Sequence, residues 1–185
     1  MNSESLVAKY SLFIAFCRVF QLFAIHYSYS LSMFHIALFE PEIPPNTGNI
    51  ARLCAATFTP LHIVGVTGFR MDDRTLKRSG LDYWNDVDLH RHVDLDEMVA
   101  RLPGSRLIYF TTKSKRPYTD FSYQPNDCLV FGPETRGLPE KILNSAPERC
   151  LTIPMPNQNV RSLNLATSVG IALYEAIRQR SIRPE

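Results

Sequence analysis

The feature that most constrains the fold is an alternation of strand-like and helix-like segments from Phe34 to about residue 180. Short runs rich in apolar, β-branched and aromatic residues, such as FHIALFE at 34–40 and LHIVGV at 61–66, predict strands. Between these two runs, NIARLCAATF at 49–58 has the apolar spacing of a helix. The alternation predicts an α/β domain with a mostly parallel sheet and helices on both faces.

The same alternation continues to the end of this region. Four more segments predict strands: VDLHRH (87–92), RLIYFTT (106–112), DCLVFG (127–132) and CLTIPM (150–155). Four more segments predict helices: DDRTLKRSG (72–80), DLDEMVARL (94–102, capped by Asp94), PEKILNSA (139–146) and SLNLATSVGIALYEAIRQR (162–180). The last helix is apolar on two flanks, so we expect it to be buried on two sides, either inside one subunit or against a second.

The first 32 residues differ from the rest of the chain. The stretch from Tyr10 to Leu31 is rich in apolar and aromatic residues, but Arg18 lies near its centre. A charge there is costly in a bilayer, so membrane association is disfavoured. We interpret 1–32 as an N-terminal extension upstream of a start at Met33, with a membrane-associating helix as the alternative. Residues 33–180 form the predicted domain, and 181–185 are a tail.

Composition indicates an ordinary globular protein. The chain is 45% apolar and 21% charged, with a net charge of +2 that permits nucleic acid binding without requiring it. The cysteines do not form a CxxC pair, so we expect buried free thiols and a cytoplasmic location. His90 and His92 would share a face of a strand, but no neighbouring ligands support a metal site, and none is expected.

Three loops at the predicted carboxyl ends of strands carry the candidate chemistry, since ligands of parallel sheets bind there. The first, PPNTGNIAR (44–52), contains Asn46, which can cap the following helix, and Arg52. Helix N-termini favour anions, and the Arg52 guanidinium could hold a phosphate with two hydrogen bonds. The alternative is a capped helix with a surface arginine.

The second loop, GPETRGLP (132–139), combines two glycines and two prolines with Glu134 and Arg136. Such a loop is shaped before a ligand arrives, which lowers the entropic cost of binding. An ordinary strand-to-helix connection is the alternative. The third loop, 153–162, leads into the closing helix, and capping of that helix alone could explain Ser162.

Three segments in these loops resemble known motifs in their known order. NTGNIAR, FGPETRGLP and VRSLNLATSV resemble the signature motifs of the SPOUT class of RNA 2′-O-methyltransferases. FHIALFEPEIPPNTGNI and GFRMDDRTLKRSGLDYW are similar to one branch of that class, the tRNA (cytidine(34)-2′-O)-methyltransferases. The likeness covers about 33–180.

The resemblance implies a fold and an activity. It implies a C-terminal trefoil knot, a homodimer and S-adenosylmethionine as methyl donor. It also implies methylation of the ribose 2′-oxygen of the wobble nucleotide, position 34, a cytidine or modified uridine, in leucine tRNAs. Another tRNA or rRNA position, or an inactive RNA-binding homodimer, remains an alternative.

The resemblance also implies roles for particular residues. Four of them are expected to bind the cofactor, largely through backbone groups: Phe110, Gly132, Ile153 and Ser162. Arg52 would contact the target ribose or phosphate, with Asn46 as a second catalytic residue. The proton of the 2′-hydroxyl could pass to Arg52, to an RNA phosphate or to water.

A protein that binds tRNA is expected to carry exposed basic side chains. Arg74, Lys77 and Arg78 share a helical face, and Arg136 either organises its loop or reaches towards the RNA. A solvated helix face is the alternative for the first three. The chain departs from many relatives at Ala56 and Phe58, where they carry an Asn and a Gly, which bears on the packing behind the first loop.

Overall fold

The computed structural model describes residues 34–69, 86–157 and 159–182. Within these residues the predicted α/β architecture is confirmed, because the strands form one parallel sheet with helices on both faces. The strands are β1 (Phe34–Phe39), β2 (Leu61–Val64), β3 (Leu89–His92), β4 (Leu107–Phe110), β5 (Asp127–Phe131) and β6 (Cys150–Leu151). Their order across the sheet is β3-β2-β1-β5-β4-β6, and every pairing is parallel.

The α-helices of the described part of the chain are α1 (Pro44–Thr57), α2 (Leu95–Arg101), α3 (Glu140–Ser145) and α4 (Leu165–Ile182). On one face of the sheet, Ile50 of α1 and Leu173 of α4 join the core formed by β1 and its neighbours. On the other face, Met98 of α2 and Leu143 of α3 join a second core. Helix α4 is therefore covered by α1 and the sheet, while Tyr174 on it is exposed.

Most predicted strands end earlier than the apolar runs suggest. LHIVGV leaves the sheet at Val64, RLIYFTT at Phe110, and CLTIPM keeps only Cys150–Leu151 in the strand. The apolar residues beyond these points line loops, so apolar composition alone does not mark where pairing stops. The helix predicted at 72–80 and the extension at 1–32 lie outside the described residues.

Caps were predicted for two helix starts, and one of these predictions is correct. The Asp94 side chain accepts a hydrogen bond from the Glu97 N–H at 2.8 Å, which confirms it as the cap of α2. The prediction that Asn46 caps the first helix is wrong, because α1 already begins at Pro44 and Ile43 occupies the cap position without a side-chain bond. Proline suits the first turn, where a missing N–H costs nothing.

The chain at Leu151–Thr152 has backbone partners on both of its edges. The Thr111 N–H donates to the Leu151 carbonyl at 2.9 Å, and the Thr152 N–H donates to the Arg116 carbonyl at 2.8 Å. The Tyr118 N–H in turn donates to the Thr152 carbonyl at 2.9 Å. Residues 116–118 thus flank the end of β6 on the side away from β4. The trefoil knot implied by the resemblance stays a prediction.

Histidines from three adjacent strands lie in a row on the α2 face of the sheet. His35 Nδ1 is 3.1 Å from His62 Nε2, and His62 Nδ1 is 3.0 Å from His92 Nε2. The His90 ring stacks on His62 with 4.9 Å between centroids. Burial, followed by the other histidines, lowers the pKa of His62 to about 3. His62 thus uses both ring nitrogens on neighbouring rings.

Among residues 34–69, 86–157 and 159–182, no group of three or more His, Cys, Asp or Glu side chains is arranged to hold a metal ion. Cys54, Cys128 and Cys150 are buried free thiols, as predicted. No helix in the described ranges combines the length and the hydropathy needed to cross a membrane.

Candidate functional site

A cavity of about 820 Å³ opens at the carboxyl ends of β4 and β5. Its walls come from all three loops singled out in the sequence. The contributing segments are Ile43 and Asn46, 110–113, 131–138, 152–155 and 161–165 with Ser168. Its volume falls within the range of pockets that enclose small-molecule cofactors. Segments that are far apart in the sequence therefore converge on one cleft.

The second loop folds back on itself at the floor of this cavity. A Cβ atom on Gly132 would lie 2.3 Å from the Leu138 nitrogen and 2.5 Å from the Gly137 carbonyl carbon, so only glycine fits. Gly137 has a φ of +66°, in the region that side chains rarely adopt. The Gly137 N–H donates to the Pro133 carbonyl at 2.9 Å, which closes the turn. The backbone conformation of this loop thus depends on its glycines.

A directional chain of side chains crosses the cavity wall. The Asn46 Nδ2 donates to Glu134 Oε1 at 3.0 Å, and the Asn164 Nδ2 donates to Asn46 Oδ1 at 2.9 Å. The Asn164 Oδ1 accepts from the Thr167 N–H at 3.3 Å. Because an ionised carboxylate only accepts, Glu134 determines which way the Asn46 amide points, and Asn46 determines the orientation of Asn164. Asn46 is 6% exposed, so this orientation is held inside the protein.

Asn164 also begins the closing helix. Helix α4 starts at Leu165, and the Asn164 side chain accepts from the third residue of the helix, as an N-cap does. Capping does not account for Ser162, which lies three residues before the helix and lines the cavity. The N-cap of α4 and the partner of Asn46 are thus the same side chain.

The Glu134 carboxylate occupies the amino end of α1. It accepts from the Glu42 N–H at 2.8 Å, from the Ile43 N–H at 3.2 Å and from Asn46. We expected this helix end to attract an anion, and a carboxylate of the chain itself fills the position. Both oxygens of Glu134 are therefore engaged in hydrogen bonds with this end of the helix.

A second glutamate, Glu42, makes the reverse contact, from the residues just before the first loop to the second loop. Glu42 Oε2 accepts from the Thr135 N–H at 3.1 Å and from the Thr135 hydroxyl at 2.7 Å. Arg136 donates to Glu42 Oε1 at 2.7 Å and to Glu40 Oε2 at 2.6 Å. The Thr135 hydroxyl, with the Thr135 N–H and Arg136, lowers the pKa of Glu42. Arg136 thus contacts the glutamates that precede the first loop, and its expected contact with RNA stays a prediction.

The residues expected to bind the cofactor all line the cavity. They are Phe110, Gly132, Ile153 and Ser162. The Phe110 ring stacks on Phe131 with 4.7 Å between centroids, which fixes the wall above the ends of β4 and β5. Their part in binding a cofactor stays a prediction.

The other predicted residues are placed differently. Asn46 reaches the cavity, whereas Arg52 is exposed on α1 and is not among the residues that line it. Arg74, Lys77 and Arg78 lie outside the described residues. The structure therefore places Asn46 at the cavity and leaves Arg52 on the surface of the same helix.

Sequence reasoning missed three features of the site. It did not assign Asn164 as the partner of Asn46, Glu42 as the acceptor for the second loop, or Arg161 as a cationic lining residue. Glu42 precedes the first motif, and its charge gave no signal by itself. Only the pairing of loops that are more than 90 residues apart reveals its role.

Comparison with known proteins identifies relatives over most of the chain. A family model described as the SpoU rRNA methylase family matches residues 33–174. The tRNA (cytidine(34)-2′-O)-methyltransferase of Methylovorus glucosotrophus is 49% identical over 148 residues, which cover 80% of this chain and 96% of that protein. The protein of the same name from Escherichia coli is 48% identical over 148 residues, covering 80% of this chain and 94% of the relative.

Solved structures agree with this similarity. A structure described as giving insights into the 2-OH methylation of C/U34 on tRNA has a TM-score of 0.76 and 46% identity. It is matched over 82% of this chain and 99% of that one. The SpoU methyltransferase AviRb from Streptomyces viridochromogenes, in complex with AdoMet, has a TM-score of 0.70 at 24% identity, over 82% of this chain and 62% of that one. This last likeness concerns the fold alone.

Proposed function

We propose that this chain, which belongs to the SpoU methylase family, transfers a methyl group from S-adenosylmethionine to the ribose 2′-oxygen of nucleotide 34 of tRNA. The observation that carries this proposal is the convergence of three distant loops on one cavity that holds the oriented Asn46 amide. The near-complete coverage of relatives named for this reaction supports the choice of substrate.

The lining of the cavity supports S-adenosylmethionine as the cofactor. It combines aromatic and aliphatic walls with exposed backbone groups of a loop held tight by Gly132. Phe110, Gly132, Ile153 and Ser162 would hold the cofactor. When bound, it supplies an electrophilic methyl group on a sulfonium sulfur.

The residues of the chain mainly orient the reactants. Holding two reactants in line can contribute roughly 7–11 kcal/mol to a reaction of this kind. Asn46 is fixed by Glu134 and Asn164, so its amide needs no reorganisation on substrate binding. Glu134 accepts three hydrogen bonds and acts as a positioning group rather than as a base. Arg52 is the residue of the first motif proposed to contact the ribose or its phosphate and to assist loss of the hydroxyl proton.

The charges around the cavity suit a polyanion. Lys113 and Arg161 line it, and the Glu134 carboxylate in its wall is engaged with donors of the first loop. Each phosphate of a single strand that such a cation neutralises adds about −0.7 to the slope of the logarithm of the binding constant against the logarithm of the salt concentration. Arg74, Lys77 and Arg78 are proposed to extend this basic surface.

Three finer points complete the proposal. The substrates are leucine tRNAs with cytidine or modified uridine at position 34, the active form is a homodimer, and the reaction takes place in the cytoplasm. We propose that Tyr174, which is exposed on α4, contacts the second subunit of the dimer. Size-exclusion chromatography with light scattering, comparing the wild-type protein with Tyr174→Asp, tests the dimer.

Methylation of defined transcripts tests the activity. The full chain is incubated with radiolabelled S-adenosylmethionine and a leucine tRNA, and with the same tRNA carrying 2′-deoxyribose at nucleotide 34. Label in the first tRNA and none in the second is the expected result. Equal labelling of both would reject position 34, labelling of an rRNA fragment alone would favour the rRNA alternative, and cofactor binding without any transfer would favour an RNA-binding protein.

A further inference from the structure

The first and second loops are held together by a reciprocal pair of glutamates. Glu134 of the second loop accepts the backbone N–H groups of Glu42 and Ile43. Glu42, which lies two residues before the first loop, accepts the backbone N–H and hydroxyl of Thr135. Each carboxylate thus binds backbone of the opposite loop, so neither loop can shift without breaking contacts to the other. We call this pair of contacts the glutamate clamp.

A single arginine offsets the charge that the clamp gathers. Arg136 contacts Glu42 at 2.7 Å and Glu40 at 2.6 Å. The Glu42 side chain is 21% exposed and the Arg136 side chain 57%. Exposed ion pairs add little to folding stability, because water competes for both groups. The clamp is therefore better placed to set geometry than to hold the fold together.

The two sides of the clamp face different parts of the cavity. The second loop carries Gly132 against its floor, while the first loop leads directly into the turn of α1 that presents Asn46. The Glu134 carboxylate accepts both the Glu42 N–H of the clamp and the Asn46 amide. A change in the distance between the loops would move the Asn46 amide relative to the cavity floor.

We infer that Glu42 is a positioning residue for the transfer reaction: its carboxylate fixes the cofactor-side loop to the amino end of α1 that carries Asn46. This inference rests on the proposed function. Glutamine at position 42 would keep the shape but offer one carbonyl where the carboxylate accepts from Thr135 and Arg136. The amide NH₂ would face donors, so the clamp would open on one side. Misplacement of reacting groups by about 1 Å costs on the order of 100-fold in rate.

The test compares the full-length wild type with Glu42→Gln and with Glu40→Gln. Glu40 accepts from the same arginine, whereas Glu42 also accepts from Thr135, so Glu40→Gln reports the loss of the charge paired with Arg136. For Glu42→Gln we expect kcat on tRNA to fall by about 10- to 100-fold with an unchanged KM for tRNA and an unchanged urea midpoint. We also expect the Thr135 amide proton to lose protection from hydrogen exchange in Glu42→Gln only.

The outcomes separate this inference from the proposed function. Wild-type kcat and a protected Thr135 amide in Glu42→Gln would overturn the positioning role. A drop of the urea midpoint that accounts for the lost activity, or an equal loss in Glu40→Gln, would overturn it as well. An inactive wild type would reject the proposed function, and the exchange of the Thr135 amide would still decide whether Glu42 holds the second loop.

Discussion

The side chains of Asn46 and Asn164, 118 positions apart in the sequence, are joined by a 2.9 Å hydrogen bond from the Asn164 amide nitrogen to the Asn46 amide oxygen. Asn46 in turn donates to Glu134. The order of donors along this chain leaves only one orientation for each amide, because the carboxylate at its end cannot donate. The wall of the cavity is therefore oriented before any ligand binds.

Replacing Asn164 by Asp separates this orientation from helix capping. Aspartate caps a helix as well as asparagine does, so α4 should keep its first turn. Its oxygen would face the Asn46 oxygen, however, and a buried polar group left unpaired costs roughly 1–3 kcal/mol. We expect kcat for methyl transfer to fall about tenfold or more and the unfolding free energy to drop by no more than about 1–3 kcal/mol, while the helical circular dichroism stays near wild type. A fully active Asn164→Asp would show that the orientation of Asn46 is unimportant.

Arg52→Ala should separate binding from turnover. Arg52 is not among the residues that line the cavity, so the affinity for S-adenosylmethionine measured by calorimetry should be unchanged. Turnover should fall by about 10²–10⁴-fold if the guanidinium assists loss of the hydroxyl proton. Arg101→Ala, which removes an exposed arginine from α2, provides the matched control. Normal turnover in Arg52→Ala would contradict the assigned role.

The row of histidines predicts a loss of stability in mild acid. Because the pKa of His62 is about 3 in the fold against 6.5 for an unperturbed histidine, the unfolded chain binds a proton that the folded chain does not. The contribution of neutral His62 to the unfolding free energy is thus present above pH 6.5. It is lost as the pH drops from 6.5 towards 3, by up to about 1.4 kcal/mol per pH unit. Urea unfolding at pH 7.5 and at pH 5.0 measures the difference.

His62→Asn is the control for this pH dependence, since an amide can donate and accept without titrating. Burial also lowers the pKa of His35 and of His92, with Asp88 opposing the shift at His35 and Glu97 opposing it at His92. The variant should therefore lose part of the slope and retain the rest. An identical slope in His62→Asn and wild type would place the acid sensitivity elsewhere.

Phe58→Gly should stabilise the protein. Phe58 ends α1 in the left-handed region, with a φ of +51°, and its side chain is 60% exposed. A residue with a Cβ costs roughly 1–2 kcal/mol in that conformation, and part of the gain is offset by the greater freedom of glycine in the unfolded chain. We expect a net gain of a few tenths to about 1 kcal/mol in unfolding free energy by urea titration. Phe58→Ala keeps the backbone cost, so it should show no gain, and a gain equal to that of glycine would assign the effect to the ring.

Local patterns predicted most of the secondary structure but not its limits. The runs that end at Val64 and Phe110 are rich in apolar, β-branched and aromatic residues, and these predicted buried strands. Every position in β2 and β4 is indeed buried. The β-branched residues Val66, Thr111 and Thr112 follow the last paired positions of these strands, so the runs predicted strands that were too long. Asn46 looked like a cap because its type favours that position, yet the two prolines before it had already started the helix.

The residues of the candidate site were likewise predicted only in part. Family resemblance selected Gly132 and Ser162, and both line the cavity. Neither resemblance nor pattern identified Glu42 or the partner of Asn46, because a hydrogen bond between distant loops leaves no period or spacing in the sequence. Such contacts depend on the register of the sheet, which brings the ends of β1 and β5 together.

The amino-acid sequence alone determined the alternation of strands and helices, the parallel sheet it requires and the glycines that permit a tight second loop. These properties follow from side-chain size, branching and polarity over short stretches of chain. Only the tertiary structure decided that Glu134 fills the amino end of α1, that Asn46 bonds to Asn164 and that Glu42 holds Thr135. The reason is physical: hydrogen bonds act over about 3 Å in space, and the folded sheet sets which distant residues come within that range.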